Sequence, residues 1–262
     1  MVSNPNGSPP EPLKKFYLNK QKYGKVKNML LDKFEKFLQS VDLKTYREKY
    51  MSIKIVEMNL PKGIQAIELL YRVYWDEKKF IDFEEFYKIY EKEKGRELRK
   101  FQKKSGMCPK CFKKGIRART YRTWAGLITQ IHAGYIAERV FGPDTVRMSE
   151  QLDRQDADIQ VQYKGIILNY DVKKIANAGV MGRGHVPRRP IPGEKFSIRY
   201  EVPNLDIILH PKKKRGDGFK KAYIDFADKY LKTKMLTVFP NGFVVFTPHI
   251  FEQKKKEIDQ SK

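Results

Sequence analysis

Two stretches in which apolar and polar residues alternate flank the dipeptide Lys164-Gly165. They run from Asp158 to Tyr163 and from Ile166 to Lys173. A period of two is typical of β-strands, and the dipeptide between them predicts a two-residue hairpin turn. Facing residues of such a hairpin have numbers that add to a constant, so the sequence predicts the register of the pair as well as its existence.

The predicted register sets two acids against each other. Asp158 faces Asp171, and Lys173 lies two residues farther along on the same face. Opposed like charges destabilise a sheet unless a cation neutralises them. Because Mg²⁺ is held by one or two carboxylates together with phosphate oxygens and water, we interpret the pair as a magnesium site that Mn²⁺ can also fill. A surface hairpin with paired charges and no function is the alternative.

The order of these residues, an acid and then acid-x-Lys on the next strand, resembles the PD-(D/E)xK nuclease superfamily. The resemblance implies a mixed sheet flanked by helices and a metal-dependent nuclease. Three residues arise easily by chance in a Lys-rich chain, so the motif carries weight only together with the hairpin register and the basic composition.

The rest of the chain is mostly helical at first and mixed later. Apolar residues recur every three or four positions in residues 26–50, 64–75, 83–101 and 121–141, which predicts helices. Short strands are predicted at 197–202, 205–209, 236–239 and 243–247, with another helix at 219–231. We therefore predict an α/β (α+β) fold with a disordered tail (1–12), a mostly helical region (13–104) and a mixed catalytic and DNA-binding region (105–262).

Glu138 lies on the apolar stripe of the helix predicted at 121–141. A buried carboxylate is costly unless it is paired or bound to a metal, so Glu138 is a candidate third metal ligand. An acid that reaches water at the end of the helix is the alternative.

The chain carries a large excess of positive charge. Its 54 Lys and Arg against 31 Asp and Glu give a formal charge of +23, which favours a polyanionic partner such as nucleic acid. There is no run of about 18 apolar residues and no signal peptide, so we expect a cytoplasmic protein that does not enter membranes.

The two cysteines, Cys108 and Cys111, have the spacing of half a zinc site. A structural zinc normally needs four Cys or His ligands, and no second pair follows. We interpret them as semi-buried thiols at a turn. His132 is interpreted as a packed or solvent-facing helix residue, and as a ligand only if the fold brought it back to the cysteines.

Longer runs resemble the TaqI restriction endonuclease family. They are YRTWAGLITQIHAGYIAE (121–138), VRMSEQLD (146–153) with Asp158 following, VKK (172–174) and PNGFVVFT (240–247). The likeness covers most of residues 30–250. The extended tail and the Lys-rich segment near residue 212 depart from the family, which bears on the exact target sequence.

The resemblance implies a homodimeric, Mg²⁺-dependent type II site-specific deoxyribonuclease that cuts double-stranded DNA at the palindrome TCGA. It also implies a cognate DNA methyltransferase in the host. By residue, it points to Asp158 as the central metal ligand, to Asp153 as a nearby acid, and to Lys173 or Lys174 as the catalytic lysine. Strand parity favours Lys173, and the role of Asp171 rests on the hairpin register alone.

Two basic segments are candidates for contacts with DNA. Glycines and basic residues alternate in 179–189, and its side chains suit the reading of base edges: Arg183, His185, Arg188 and Arg189. A flexible loop that contacts only phosphates is the alternative. A second cluster is interpreted as a phosphate clamp or a solvated loop: Lys212, Lys213, Lys214 and Arg215.

Two other functions fit parts of the sequence. A structure-specific repair nuclease or junction resolvase would use the same acids without sequence recognition. A non-catalytic nucleic-acid-binding protein would explain the charge but not the opposed acids.

Overall fold

The computed structural model describes residues 29–56, 60–175, 191–212 and 216–261. The first part is helical, with α1 (described over residues 29–40), α2 (Leu43–Tyr50), a 3₁₀ turn (Lys62–Ile64), α3 (Ile67–Leu70) running into a π-helical segment (Tyr71–Asp76), α4 (Phe83–Ser105) and α5 (Pro109–Phe141). The second part is mixed, with β1 (Val146–Arg147), α6 (Glu150–Asp153), β2 (Ile159–Tyr163), β3 (Ile166–Ile175), β4 (Glu194–Glu201), α7 (Leu205–Leu209), α8 (Asp217–Phe226), a π-helical segment (Ala227–Leu231), β5 (Leu236–Val238), β6 (Val244–Phe246) and α9 (His249–Gln260).

The central sheet is mixed. Its four strands lie in the order β1-β2-β3-β4, with β2 antiparallel to both neighbours and β4 parallel to β3. Strands β5 and β6 form a separate antiparallel pair. This arrangement confirms the predicted mixed α/β class with a helical N-terminal region.

The predicted hairpin register is confirmed for the paired residues of β2 and β3, whereas the predicted pairing of Asp158 with Asp171 lies just beyond them and stays a prediction. Ile159 pairs with Tyr170 and Tyr163 with Ile166, the register that the turn dictates. Lys164 and Gly165 have φ angles of 48° and 81°, and positive φ at both central residues is what a type I′ turn requires. Such a turn matches the twist of its strands, so the chain enters β3 with its side chains already assigned to a face.

Helix α5 is the longest element and connects the helical part to the sheet. Cys108 caps its first turn, Pro109 follows, and the helix ends before Gly142, whose φ is 114°. Trp124 is fully buried and donates a hydrogen bond from Nε1 to the Tyr74 hydroxyl at 2.8 Å. A single hydrophobic core joins the buried residues of both parts.

Three local predictions were wrong. Residues 205–209 form helix α7 instead of a strand, because a five-residue apolar run is too short for its period to distinguish the two. The helix predicted over 26–50 is interrupted at Asp42, whose carboxylate caps α2 by accepting from the Thr45 N–H at 3.0 Å. Cys108 and Cys111 are exposed at the start of α5, not semi-buried.

Helix α4 ends at Ser105, and Gly106, which follows it, has a φ of 68°, while the predicted regional boundary near residue 105 stays a prediction. The predicted tail, residues 1–12, lies outside the described residues. Within the described ranges, no helix is both long and apolar enough to cross a membrane.

Candidate active site

The acidic pair lies where β2 begins and β3 passes it. The Asp158 N–H donates to the Tyr170 carbonyl at 2.9 Å, one residue before the first strand pair, Ile159 with Tyr170, and the charge of Asp171 acts on Asp158. Both acids are buried, with 6% and 7% of their surfaces exposed. Their burial makes the charge conflict predicted from the sequence more severe, because water screens it less.

The Asp158 carboxylate is held by the backbone of the opposite strand. Its Oδ2 accepts a hydrogen bond from the Val172 N–H at 2.6 Å. Burial raises the pKa of Asp158 to about 8 although this hydrogen bond opposes the rise, and the charges of Asp153 and Asp171 add to it. Asp158 therefore needs additional positive charge nearby to stay ionised at neutral pH, although the backbone already holds its carboxylate in place.

Asp153 reaches the same acid from α6. Ser149 caps that short helix by accepting from the Leu152 N–H at 3.2 Å, which sets the direction of the last turn. Asp153 and Asp158 share a side-chain hydrogen bond, and burial followed by the charge of Glu150 raises the pKa of Asp153 against the effect of that bond. Asp153 and Asp158, predicted from different arguments, are thus brought together.

The two candidate lysines lie on opposite faces of β3. The Lys173 Nζ is 2.9 Å from Asp171 Oδ2, and 48% of the Lys173 side chain is exposed. Lys174 is also exposed as a residue, but it lines a cavity of about 480 Å³ that Asp153 lines too. There, desolvation and then the charge of Arg47 lower the pKa of Lys174 to about 8. The Lys174 ammonium can be enclosed by the cavity while its aliphatic stem reaches water.

Glu138 lies elsewhere. It is 8% exposed, and its Oε1 accepts a hydrogen bond from the Asp144 N–H at 3.3 Å, just beyond the end of α5. No group of three His, Cys, Asp or Glu side chains in the described part of the chain is close enough to hold a metal ion. Neither Glu138 nor Asp153 therefore forms a three-carboxylate group with Asp158 and Asp171 in the described structure, and a role of Glu138 through water stays a prediction.

Most residues predicted to contact DNA lie outside the described residues. These are Arg183, His185, Arg188, Arg189, Lys213, Lys214 and Arg215. Lys212 is described and is exposed, shortly after the end of α7.

His132 is packed inside the protein and cannot complete a zinc site with the cysteines. It lies 21 residues beyond Cys111 on the same helix, which corresponds to roughly 30 Å. Its ring is fully buried, with Nε2 3.1 Å from Glu35 Oε1.

Gln130 supports the site, and reasoning from the sequence missed it. The Gln130 Nε2 donates to the Val172 carbonyl at 3.0 Å. Helix α5 thus binds the backbone of the residue whose N–H orients Asp158. Gln130 lies in the middle of a helical run, and nothing in its sequence neighbourhood distinguishes it from a solvated glutamine.

Comparison with known proteins gave two kinds of match. The family model described as "TaqI restriction endonuclease" matches residues 31–258. The chain is 31% identical over 228 residues to "Type II restriction enzyme TthHB8I" of Thermus thermophilus, covering 83% of each chain. It is 33% identical over 225 residues to "Type II restriction enzyme TaqI" of Thermus aquaticus, covering 82% of this chain and 83% of the relative. No solved structure gave a significant match.

Proposed function

The chain belongs to the TaqI restriction endonuclease family, and from this premise we propose that it is a Mg²⁺-dependent type II restriction endonuclease that cuts double-stranded DNA at TCGA. The observation that carries the proposal is Asp158, which is buried, held by the Val172 N–H and close enough to Asp171 for their charges to interact. Buried like charges this close favour binding of a cation, and a DNA phosphate would provide further oxygen ligands for a hard cation.

The donor set fits magnesium. Carboxylate oxygens are the ligands that Mg²⁺ prefers, and it commonly takes only one or two from protein. We assign this role to Asp158 and Asp171, with Asp153 orienting Asp158 through their shared hydrogen bond. When bound, Mg²⁺ supplies a Lewis acid for the phosphoryl oxygen and lowers the pKa of a water molecule.

The remaining residues position the reacting groups. The Val172 N–H fixes the direction of the Asp158 carboxylate, and Gln130 fixes the Val172 carbonyl from α5. The Lys173 ammonium, beside Asp171, is placed to orient the attacking water or to contact the scissile phosphate. Attack at phosphorus with departure of the 3′ oxygen leaves 5′-phosphate and 3′-hydroxyl ends.

The proposed partners follow from the same premise. A palindromic target is read by two equivalent subunits, so we propose a homodimer. A net charge of +23 supports electrostatic attraction to DNA. A DNA methyltransferase of the same specificity would protect the host genome, and the cytoplasm is the compartment in which the enzyme would meet foreign DNA.

The test is digestion of a sequenced plasmid with Mg²⁺, with chelator, and with Ca²⁺. Discrete fragments whose ends map to TCGA are expected with Mg²⁺ only. Discrete fragments whose ends map to another sequence would refute TCGA as the target but would still support the endonuclease activity. Cutting at branched substrates alone would indicate a structure-specific nuclease, and undamaged plasmid with both Mg²⁺ and Mn²⁺ would overturn the proposal.

A matched pair of variants ties the activity to the site. Asp158→Ala is expected to abolish cleavage while DNA binding in Ca²⁺ persists. The control is Asp228→Ala, which removes an exposed carboxylate whose partner is Lys232, one helical turn away. Equal activity of the two variants would refute the assignment of Asp158.

A further inference from the structure

The cavity behind the candidate active site has a charged end and an apolar wall. It measures about 480 Å³ and lies between α2, α5, the end of β3 and the segment around α7 and β6. Asp153 and Lys174 line it on the side of the acids, and the wall is largely apolar: Leu43, Met51, Leu127, Ile208 and Phe243. Its volume lies within the range of ligand-binding cavities.

Two cationic side chains line this cavity. Arg47 of α2 and Lys174 of β3 both line it, and the charge of Arg47 contributes to the lowered pKa of Lys174. Among the residues that the structure describes, neither side chain forms an ion pair with a carboxylate. Two neighbouring positive charges repel each other in a partly enclosed space, so an anion between them would stabilise the arrangement.

Arg122 also lines the cavity, but its guanidinium binds the backbone. One of its guanidinium NH groups donates to the Ile53 carbonyl at 2.6 Å, which ties α5 to the segment after α2. Within the described residues, Arg47 donates to no such carbonyl. The difference marks Arg47 as the arginine with donors available for a ligand.

We propose that this cavity binds a DNA phosphate next to the phosphate that is cleaved, through Arg47 and Lys174. The inference rests on the proposed function, since it takes DNA as the substrate. Arginine presents paired N–H donors that match phosphate oxygens, and the lysine ammonium adds a second positive charge. The apolar wall then contacts the deoxyribose or base of the same nucleotide.

Salt dependence of DNA binding tests the role of Arg47. With Ca²⁺ in place of Mg²⁺, Arg47→Gln should weaken binding to any duplex about tenfold and reduce the slope of log K against log salt by about 0.9, the effect of one lost phosphate contact. Arg99→Gln is the matched control, because Arg99 is exposed on α4. A wild-type slope for Arg47→Gln, in a protein with wild-type melting temperature, would overturn the proposal.

The two proposals fail differently: a wild type that cleaves DNA while Arg47→Gln keeps its slope refutes only the cavity, whereas a wild type that binds but never cleaves refutes only the nuclease. A wild type that binds no DNA refutes both.

Discussion

The Asp158 carboxylate accepts a 2.6 Å hydrogen bond from the backbone N–H of Val172 on the facing strand. The side chain thereby adds one hydrogen bond to the β2–β3 pair just before β2 begins. An acid held by the sheet itself cannot rotate away from the negative charges of Asp153 and Asp171. Above its raised pKa, Asp158 adds a negative charge to this cluster, and a bound cation would neutralise that charge.

Replacing Asp158 with asparagine should stabilise the metal-free protein and abolish cleavage. Asparagine keeps an oxygen for the Val172 N–H but needs neither a buried charge nor the uptake of a proton that the raised pKa of Asp158 imposes on folding of the wild type, so we expect a gain of about 1 kcal/mol and a rise of about 2–4 °C in melting temperature with chelator present. Thermal unfolding and plasmid digestion measure the two effects. A variant that is less stable than wild type would show that the negative charge is already compensated.

The two lysines of β3 should have separable roles. Lys173→Ala should lower the single-turnover cleavage rate at saturating enzyme, because its ammonium lies beside Asp171. Lys174→Ala should mainly weaken DNA binding, because Lys174 lines the cavity with Arg47. The opposite pattern, a rate defect confined to Lys174→Ala, would exchange the two assignments.

His132 should make the protein less stable in acid. Burial and, to a smaller extent, Arg139 lower the pKa of His132, and the hydrogen bond with Glu35 only partly offsets this. Its pKa is therefore lower in the folded than in the unfolded state, whose pKa is about 6.5. The unfolded chain binds the proton more readily, so stability is lost as the pH falls below that value.

Denaturation midpoints at several pH values between neutrality and mild acid measure this loss. His132→Gln can still hydrogen-bond Glu35 and should flatten the dependence over that range. His210→Gln, at an exposed position, is the control and should leave the profile unchanged. A steep profile in His132→Gln would assign the acid sensitivity to other groups.

Two glycines should respond oppositely to alanine. Gly193 has a φ of 109°, and a Cβ there would lie 2.5 Å from the Ile167 carbonyl oxygen. Gly193→Ala should destabilise the parallel pairing of β4 with β3 by about 2–4 kcal/mol. Gly95→Ala, in the interior of α4 with ordinary contacts only, should stabilise the protein by about 0.5–1 kcal/mol. Equal melting temperatures for the two variants would contradict this.

The hairpin was predictable because its information is local. A period of two and a two-residue turn determine the register, and the structure has that register from Ile159 to Tyr170. Residues 205–209 show the limit of the same reasoning, since an apolar run of five residues has no period to read and α7 forms there. Cys108 shows another limit, because helix α5 begins earlier than its apolar stripe suggests.

The sequence by itself determined the class of fold, the hairpin and its opposed acids, and the family likeness that indicates restriction endonuclease chemistry. Only the tertiary structure decided that Asp153 contacts Asp158, that Glu138 bonds to the backbone near its own helix end, and that Arg47, Tyr121 and Lys174 share one cavity. The physical reason is range. Turn geometry and strand parity act between near neighbours in the chain, whereas the encounter of α2, α5 and β3 depends on how a whole core packs, which no short segment specifies.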